Sequence, residues 1–187
     1  FFTVFEKQKR FEKRISLSMQ IFILDPDPEK VPRMLCDVHV RKLCLETAQI
    51  LSGVLRLRSL FPADTMPGVY NIHHPVIRAL RESDFRLGYV LTYNAALHGE
   101  YFYRFGKLHK YSALCPAYRI LFFPDGIKKD LTPDWGFARS FKNFSPSSTE
   151  LFTAFREYYC HKKTILGNFW SYTGRCEPDF LRHCRKI

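Results

Sequence analysis

Residues 31–55 read VPRMLCDVHVRKLCLETAQILSGVL, and their periodicity decides the fold. Leu35, Val38, Leu43, Leu45, Ile50, Leu51 and Val54 recur at helical spacing, which predicts one long helix from about Val31 to Leu55. Pro32 then sits in its first turn, where a missing N–H costs nothing. On a wheel of about 100° per residue with His39 at zero, Glu46 falls at about 340°, Gly53 at about 320°, Lys42 at about 300° and Gln49 at about 280°. Four polar groups and a glycine share one quadrant of a helix that is otherwise apolar. Only Asp37, Arg41, Thr47 and Ser52 interrupt the apolar remainder, and Cys36 and Cys44 count there as small buried hydrophobes.

A helix this apolar is buried on most sides, so its polar quadrant meets water narrowly or faces a cleft. A carboxylate beside an imidazole and an amine in such a place has its pKa tuned for proton transfer. That makes His39, Lys42 and Glu46 candidate catalytic groups, with Gln49 as a supporting polar group. The alternative is a structural network, since Glu and Lys four residues apart also stabilise a helix modestly. Cys36 and His39 form no nucleophilic pair on this wheel, because Cys36 lies about 60° away on the apolar side.

Working outward, Gln20-Ile-Phe-Ile-Leu24 reads as a short N-terminal strand, and Asp25-Pro-Asp-Pro28 as the turn before the helix. Arg58 to Gly68 is a loop, and His74-Pro75 opens the next helix. Between Asp84 and Phe105, aromatic or aliphatic residues recur every four positions (Phe85, Tyr89, Tyr93, Leu97, Tyr101), a helix that Gly106 should stop. Ser112 to Ser145 lacks steady periodicity and reads as a long irregular loop with one short element. Ser147-Ser-Thr-Glu150 has the capping-box pattern ahead of an apolar helix, and a last short helix follows Glu177-Pro178. The expectation is a mainly α protein: residues 19–187 as a single compact helical domain. Residues 1–18 alternate aromatics with charges up to Met19, a candidate start, and read as a leader or extension.

Twenty-nine Lys and Arg against 18 Asp and Glu give a net charge of +11, and +8 remains without residues 1–18. Such a balance points to an anionic partner, nucleic acid first, unless the chain is merely a basic protein. No apolar run approaches the roughly 18 residues of a membrane span, and residues 1–18 lack the apolar core of a signal peptide. The six cysteines form no CxxC pair and no finger-type spacing, so neither structural zinc nor another cofactor is expected, and a reducing compartment fits. GxGxxG, Walker, GxSxG and HExxH motifs are absent from the sequence.

Candidate phosphate contacts cluster in three places. His73, His74 and Arg78, with Arg81 and Arg86, surround a helix start, where backbone N–H groups attract anions, although His74 as a simple cap is the competing reading. Arg104, Lys107, His109 and Lys110 interleave with Tyr101, Phe102, Tyr103, Phe105 and Tyr111, as in surfaces where cations meet phosphates and rings stack on bases. Lys162 and Lys163, near Arg156, Tyr158, Tyr159 and His161, repeat the mixture.

The runs MQIFILDPDP, CDVHVRKLCLETAQILS, HHPVIRAL and EYFYRFGKLHK, over residues 19 to about 111, resemble small proteins of phages and large DNA viruses. More remotely, the layout resembles the pyrimidine-dimer DNA glycosylases of the endonuclease V type. Those are helical enzymes in which a helix carries a histidine and, seven residues on, the catalytic glutamate; His39 and Glu46 have that spacing. The resemblance implies a DNA glycosylase with abasic-site lyase activity on damaged or modified pyrimidines. It also implies an amine nucleophile, the α-amine of the mature N-terminus in that family. Here the amine would come from Met19 if the chain starts there, or from Lys42. Glu46 would be acid/base and electrostatic stabiliser, and His39 an orienting or DNA-contacting group. The expected partner is double-stranded DNA, met by a monomer inside a host cell's cytoplasm and not secreted. The alternatives are a non-catalytic viral nucleic-acid-binding protein and an enzyme of free nucleotides or modified bases.

Overall fold

The computed structural model describes residues 20–60, 66–69, 71–127, 131–139, 141–182 and 184, and it divides the stretch read as one helix into two. Helix α1 spans Val31–Met34 and α2 spans Asp37–Leu57. Between them Leu35 and Cys36 are extended, with ψ of 142° and 161°. The apolar period continues through this break, so the local sequence does not announce it. Its cause lies 67 or more residues away, in Arg104.

The Arg104 side chain is fully buried. Its Nη1 donates to Leu35 O at 2.7 Å and to Asp37 Oδ1 at 3.0 Å, its Nη2 to Pro32 O and Arg33 O at 3.3 Å, and its Nε to Glu100 Oε1 at 2.7 Å. Five bonds match the five N–H donors of a guanidinium. Carbonyls left over at the end of α1 are thus satisfied by a cation, which also suits the negative end of a helix dipole. Asp37, the first residue of α2, further accepts from Ser171 Oγ, Thr173 N and Thr173 Oγ1 at 2.8–3.0 Å. Glu100 receives a two-pronged contact from Arg175 at 2.9 and 2.8 Å. The expectation that Arg104 contacts nucleic acid is therefore corrected: it holds the interior together.

The remaining helices are α3 (Pro75–Arg81), α4 (Asp84–Phe105), α5 (Leu114–Phe122), α6 (Leu151–Leu166) and α7 (Asp179–Arg182), with a 3-10 turn at Gly167–Phe169. Helix α4 has the expected bounds and ends on Gly106 in the left-handed region, φ 63°. Helices α2 and α4 form the central pair; α3 packs on both, and so does α5. A Cβ on Gly53 would come 2.6 Å from Ile77 Cδ1, so the glycine is what lets α3 approach α2. From α5, Tyr118 donates to Ala48 O at 2.9 Å.

Three local expectations change. Among the described residues there is no strand: Gln20–Leu24 is buried along its whole length and its end is held by side chains instead of a neighbouring ladder. Arg156 Nε donates to Leu24 O at 2.9 Å and Tyr89 Oη to Asp25 O at 2.7 Å. Helix α6 is capped by Glu150, whose carboxylate accepts from the N–H groups of Phe152 and Thr153, while Ser147 bonds Glu157. Cys160 and Cys184 are joined in a disulfide, which the reading toward a reducing compartment did not anticipate. Ser112 to Ser145 contains α5 and is otherwise irregular where described. No described helix is long and apolar enough to cross a membrane.

Removing one partner from a buried ion network leaves the others uncompensated, at about 3–5 kcal/mol. Arg104→Ala should lose about that much stability in urea denaturation, against less than about 1 kcal/mol for an exposed cation such as Lys107→Ala. Equal losses would show that the Arg104 network is dispensable.

Candidate functional site

The polar quadrant of α2 is real, but its members do different work. His39 is buried in an aromatic box, with ring centroids 4.9 Å from Phe22, 5.2 Å from Tyr159 and 5.6 Å from Trp170. Its Nδ1 lies 3.1 Å from Tyr159 Oη and 3.3 Å from Cys36 Sγ, and the Cys36 N–H donates to the same Tyr159 oxygen at 2.8 Å. The helix wheel had put Cys36 on another face; the break before Asp37 frees it to turn back over His39. Burial, aided by the charges of Lys42 and Lys162, lowers the His39 pKa to about 3. Burial likewise pushes the Cys36 thiol up to about 11. A neutral thiol beside a neutral imidazole is no activated nucleophile.

Lys42 and Glu46 form an ion pair in the other half of the quadrant. Lys42 Nζ is 3.2 Å from Glu46 Oε1, with side-chain exposures of 22% and 9%. No described hydrogen bond or ion pair joins His39 to Glu46; Lys42 lies between them in electrostatic reach of both. Gln49 Nε2 donates to Gly68 O at 3.0 Å and so pins the loop after α2 to the helix. Met19 lies outside the described residues.

Glu46 stands out against the other buried carboxylates. For Asp37, burial raises the pKa, but hydrogen bonds from Thr173, Arg104 and Ser171 outweigh it and hold the group below 3.8. For Glu100, Arg175 and Arg104 likewise overcome burial. Among the described residues Glu46 is bonded by Lys42 alone: its Oε2 is buried without a hydrogen-bond partner, and burial outweighs the lysine to bring the pKa from 4.5 to about 7. A carboxyl that exchanges its proton near neutrality, beside an amine, has what acid/base catalysis asks for.

The candidate phosphate contacts divide. His73 and Arg78 are exposed, while His74 Nδ1 accepts from Val76 N at 3.3 Å and caps α3, as its competing reading had it. Lys107 and Lys110 are exposed, as are Phe102, Tyr103 and Leu108, but Lys110 Nζ lies 4.6 Å over the Tyr111 ring and Arg175 lies 4.0 Å over that of Tyr103. His109 is half-buried against the rings of His98, Tyr101 and Tyr111. Lys162 lies 4.8 Å over the Tyr158 ring, and Lys163 is paired with Glu177 at 2.8 Å, so neither is a simple surface cation.

One grouping was not read from the sequence. Cys44 of α2, His98 of α4 and His109 of the following turn bring their ligand atoms within 4.8 Å of one another. Cys44 and His98 sit on facing apolar sides of the central helix pair, where periodicity reads them as core. Comparison with family models, with curated proteins and with solved structures finds no match for the chain.

Because the folded-state pKa of Glu46 is raised, its contribution to stability is fully present below about pH 4.5 and is lost as pH rises through about 7. Glu46→Gln removes this titration. The variant should gain about 1–3 kcal/mol relative to the parent between pH 4.5 and 8 in paired denaturation curves. Curves that stay parallel across that window would mean an ordinary surface-like carboxyl.

Proposed function

We propose that the protein is a DNA-directed glycosylase with abasic-site lyase activity, in which Lys42 supplies the amine and Glu46 the proton relay. The observation that carries the reading is the Lys42–Glu46 pair: an amine 3.2 Å from a buried carboxyl with one free oxygen and a pKa near 7. An ordinary helical ion pair would be exposed and its glutamate ionised well below neutrality. Glu46 takes the ammonium proton from Lys42, and the freed amine attacks the deoxyribose C1′. The N-glycosidic bond breaks, its electron pair leaves with the base, and the base takes the proton that Glu46 received from Lys42. The C1′–O4′ bond then breaks, O4′ keeping the electron pair and taking the proton lost by the attacking nitrogen, to give a protonated imine; the Glu46 carboxylate removes a C2′ proton, and the 3′ phosphate leaves with the electron pair of the C3′–O bond.

Two further features support a DNA substrate. The net charge of +11 attracts a polyanion, and the exposed Lys107 and Lys110 follow the exposed ring of Phe102 in the chain. Cations for phosphates beside rings for unstacked bases suit a duplex with one nucleotide turned out. The same surface also favours a second reading, a nucleic-acid-binding protein without turnover, in which Lys42 and Glu46 only stabilise α2.

Borohydride trapping on abasic-site DNA separates the two. The proposal expects a covalent adduct on the Lys42 peptide, absent in Lys42→Ala. It also expects Glu46→Gln to bind DNA within a few-fold of the parent and to lose cleavage by at least about 100-fold. Salt-sensitive binding with no adduct and no strand scission would leave the binding protein. An adduct elsewhere on the chain would remove Lys42 from the chemistry.

A further inference from the structure

His98 is almost wholly buried, and neither of its ring nitrogens has a hydrogen-bond partner. A neutral imidazole carries one donor and one acceptor, and leaving either unmade in an interior costs about 1–3 kcal/mol. The His109 ring lies 5.3 Å from that of His98, between Tyr101 and Tyr111, and does not satisfy it. What does lie within reach are two further soft ligands. Cys44, fully buried on α2, and His109, half-buried on the turn after α4, place their ligand atoms with that of His98 inside a 4.8 Å span.

We propose that Cys44, His98 and His109 bind a zinc-class divalent cation. One thiolate and two imidazoles form a borderline-soft ligand set, which carboxylate-seeking ions such as magnesium or calcium do not prefer. At Zn–S of about 2.3 Å and Zn–N of about 2.0–2.1 Å, a tetrahedral ion needs its ligand atoms roughly 3.3–3.6 Å apart. The observed span closes to that by contraction at His109, which belongs to a turn open to solvent and not to a helix. As the metal–sulfur bond forms, the Cys44 proton leaves to solvent, so the ion takes the proton's place on sulfur. Three protein ligands leave a fourth position for water or another small ligand. The ion would tie α2, α4 and the turn carrying Lys107 and Lys110 together, and would satisfy the buried imidazole. The ligands are separated by 54 and 11 residues, which no finger-type spacing encodes. The inference is independent of the lyase reading, whose residues it does not share.

Cobalt(II) titration of the full chain, reduced only enough to keep Cys44 a thiol, provides the test. One equivalent should give the intense visible bands of a tetrahedral cobalt site and a thiolate charge-transfer band, both displaced by one equivalent of zinc. Cys44→Ala should abolish the charge-transfer band. His109→Ala, on the open turn and checked for its helical circular dichroism, should weaken cobalt binding about tenfold or more. Folded parent protein with no spectral change would overturn the proposal. So would bands that survive Cys44→Ala, or bands lost on replacing the exposed Cys176 by Ser.

Discussion

A single buried guanidinium, that of Arg104, sets the arrangement on which everything else rests. It accepts no compromise in its geometry, because each N–H finds an acceptor: three carbonyls around the end of α1, the Asp37 carboxylate at the start of α2 and Glu100 on its own helix. A cation at a helix end is favourable by dipole and hydrogen bond alike, and desolvating it is tolerable only with this degree of satisfaction. The break at Leu35–Cys36 follows from those bonds. Through Asp37 the network reaches Ser171 and Thr173, and through Glu100 it reaches Arg175, so the C-terminal segment is tied to the centre of the molecule.

Against that background Glu46 is the exception. Asp37 and Glu100 are surrounded by donors, and their charged forms are favoured despite burial. Glu46 shares the burial without the donors, so its proton is held to near neutrality. His39 carries the opposite sign of the same effect: burial keeps it neutral down to about pH 3 and packs it as an aromatic. One helix face thus holds a packed neutral imidazole and a buried carboxyl of raised pKa, seven residues apart.

The helices were largely legible from the sequence, because α2, α4 and α6 are amphipathic over several turns and the boundary signals are local: Gly106 stops α4 and Pro75 opens α3. The α1–α2 break was not, since its cause is an arginine about 70 residues away. Arg104 itself was misplaced for the same reason. In the run Tyr101 to Lys110 it looks like its exposed neighbours, and only its position on the inner face of α4 makes it core. Glu46 and Lys42 were legible as a pair at i and i+4, whereas the orphaned Oε2 depends on what α2 packs against. Cys44, His98 and His109 were invisible as a group because their proximity is a property of the α2–α4 contact. Capping by Glu150 and the Cys160–Cys184 bond likewise needed three dimensions.

Among the described residues, Glu46 is a buried carboxyl with one oxygen that has no hydrogen-bond partner, and burial raises its pKa. Its side-chain carboxyl carbon, assigned by its loss in Glu46→Gln, reports this directly in a carbon NMR pH titration. The account predicts a midpoint of about 7 for Glu46. A midpoint near 4.5, the ordinary value for a glutamate, would contradict it.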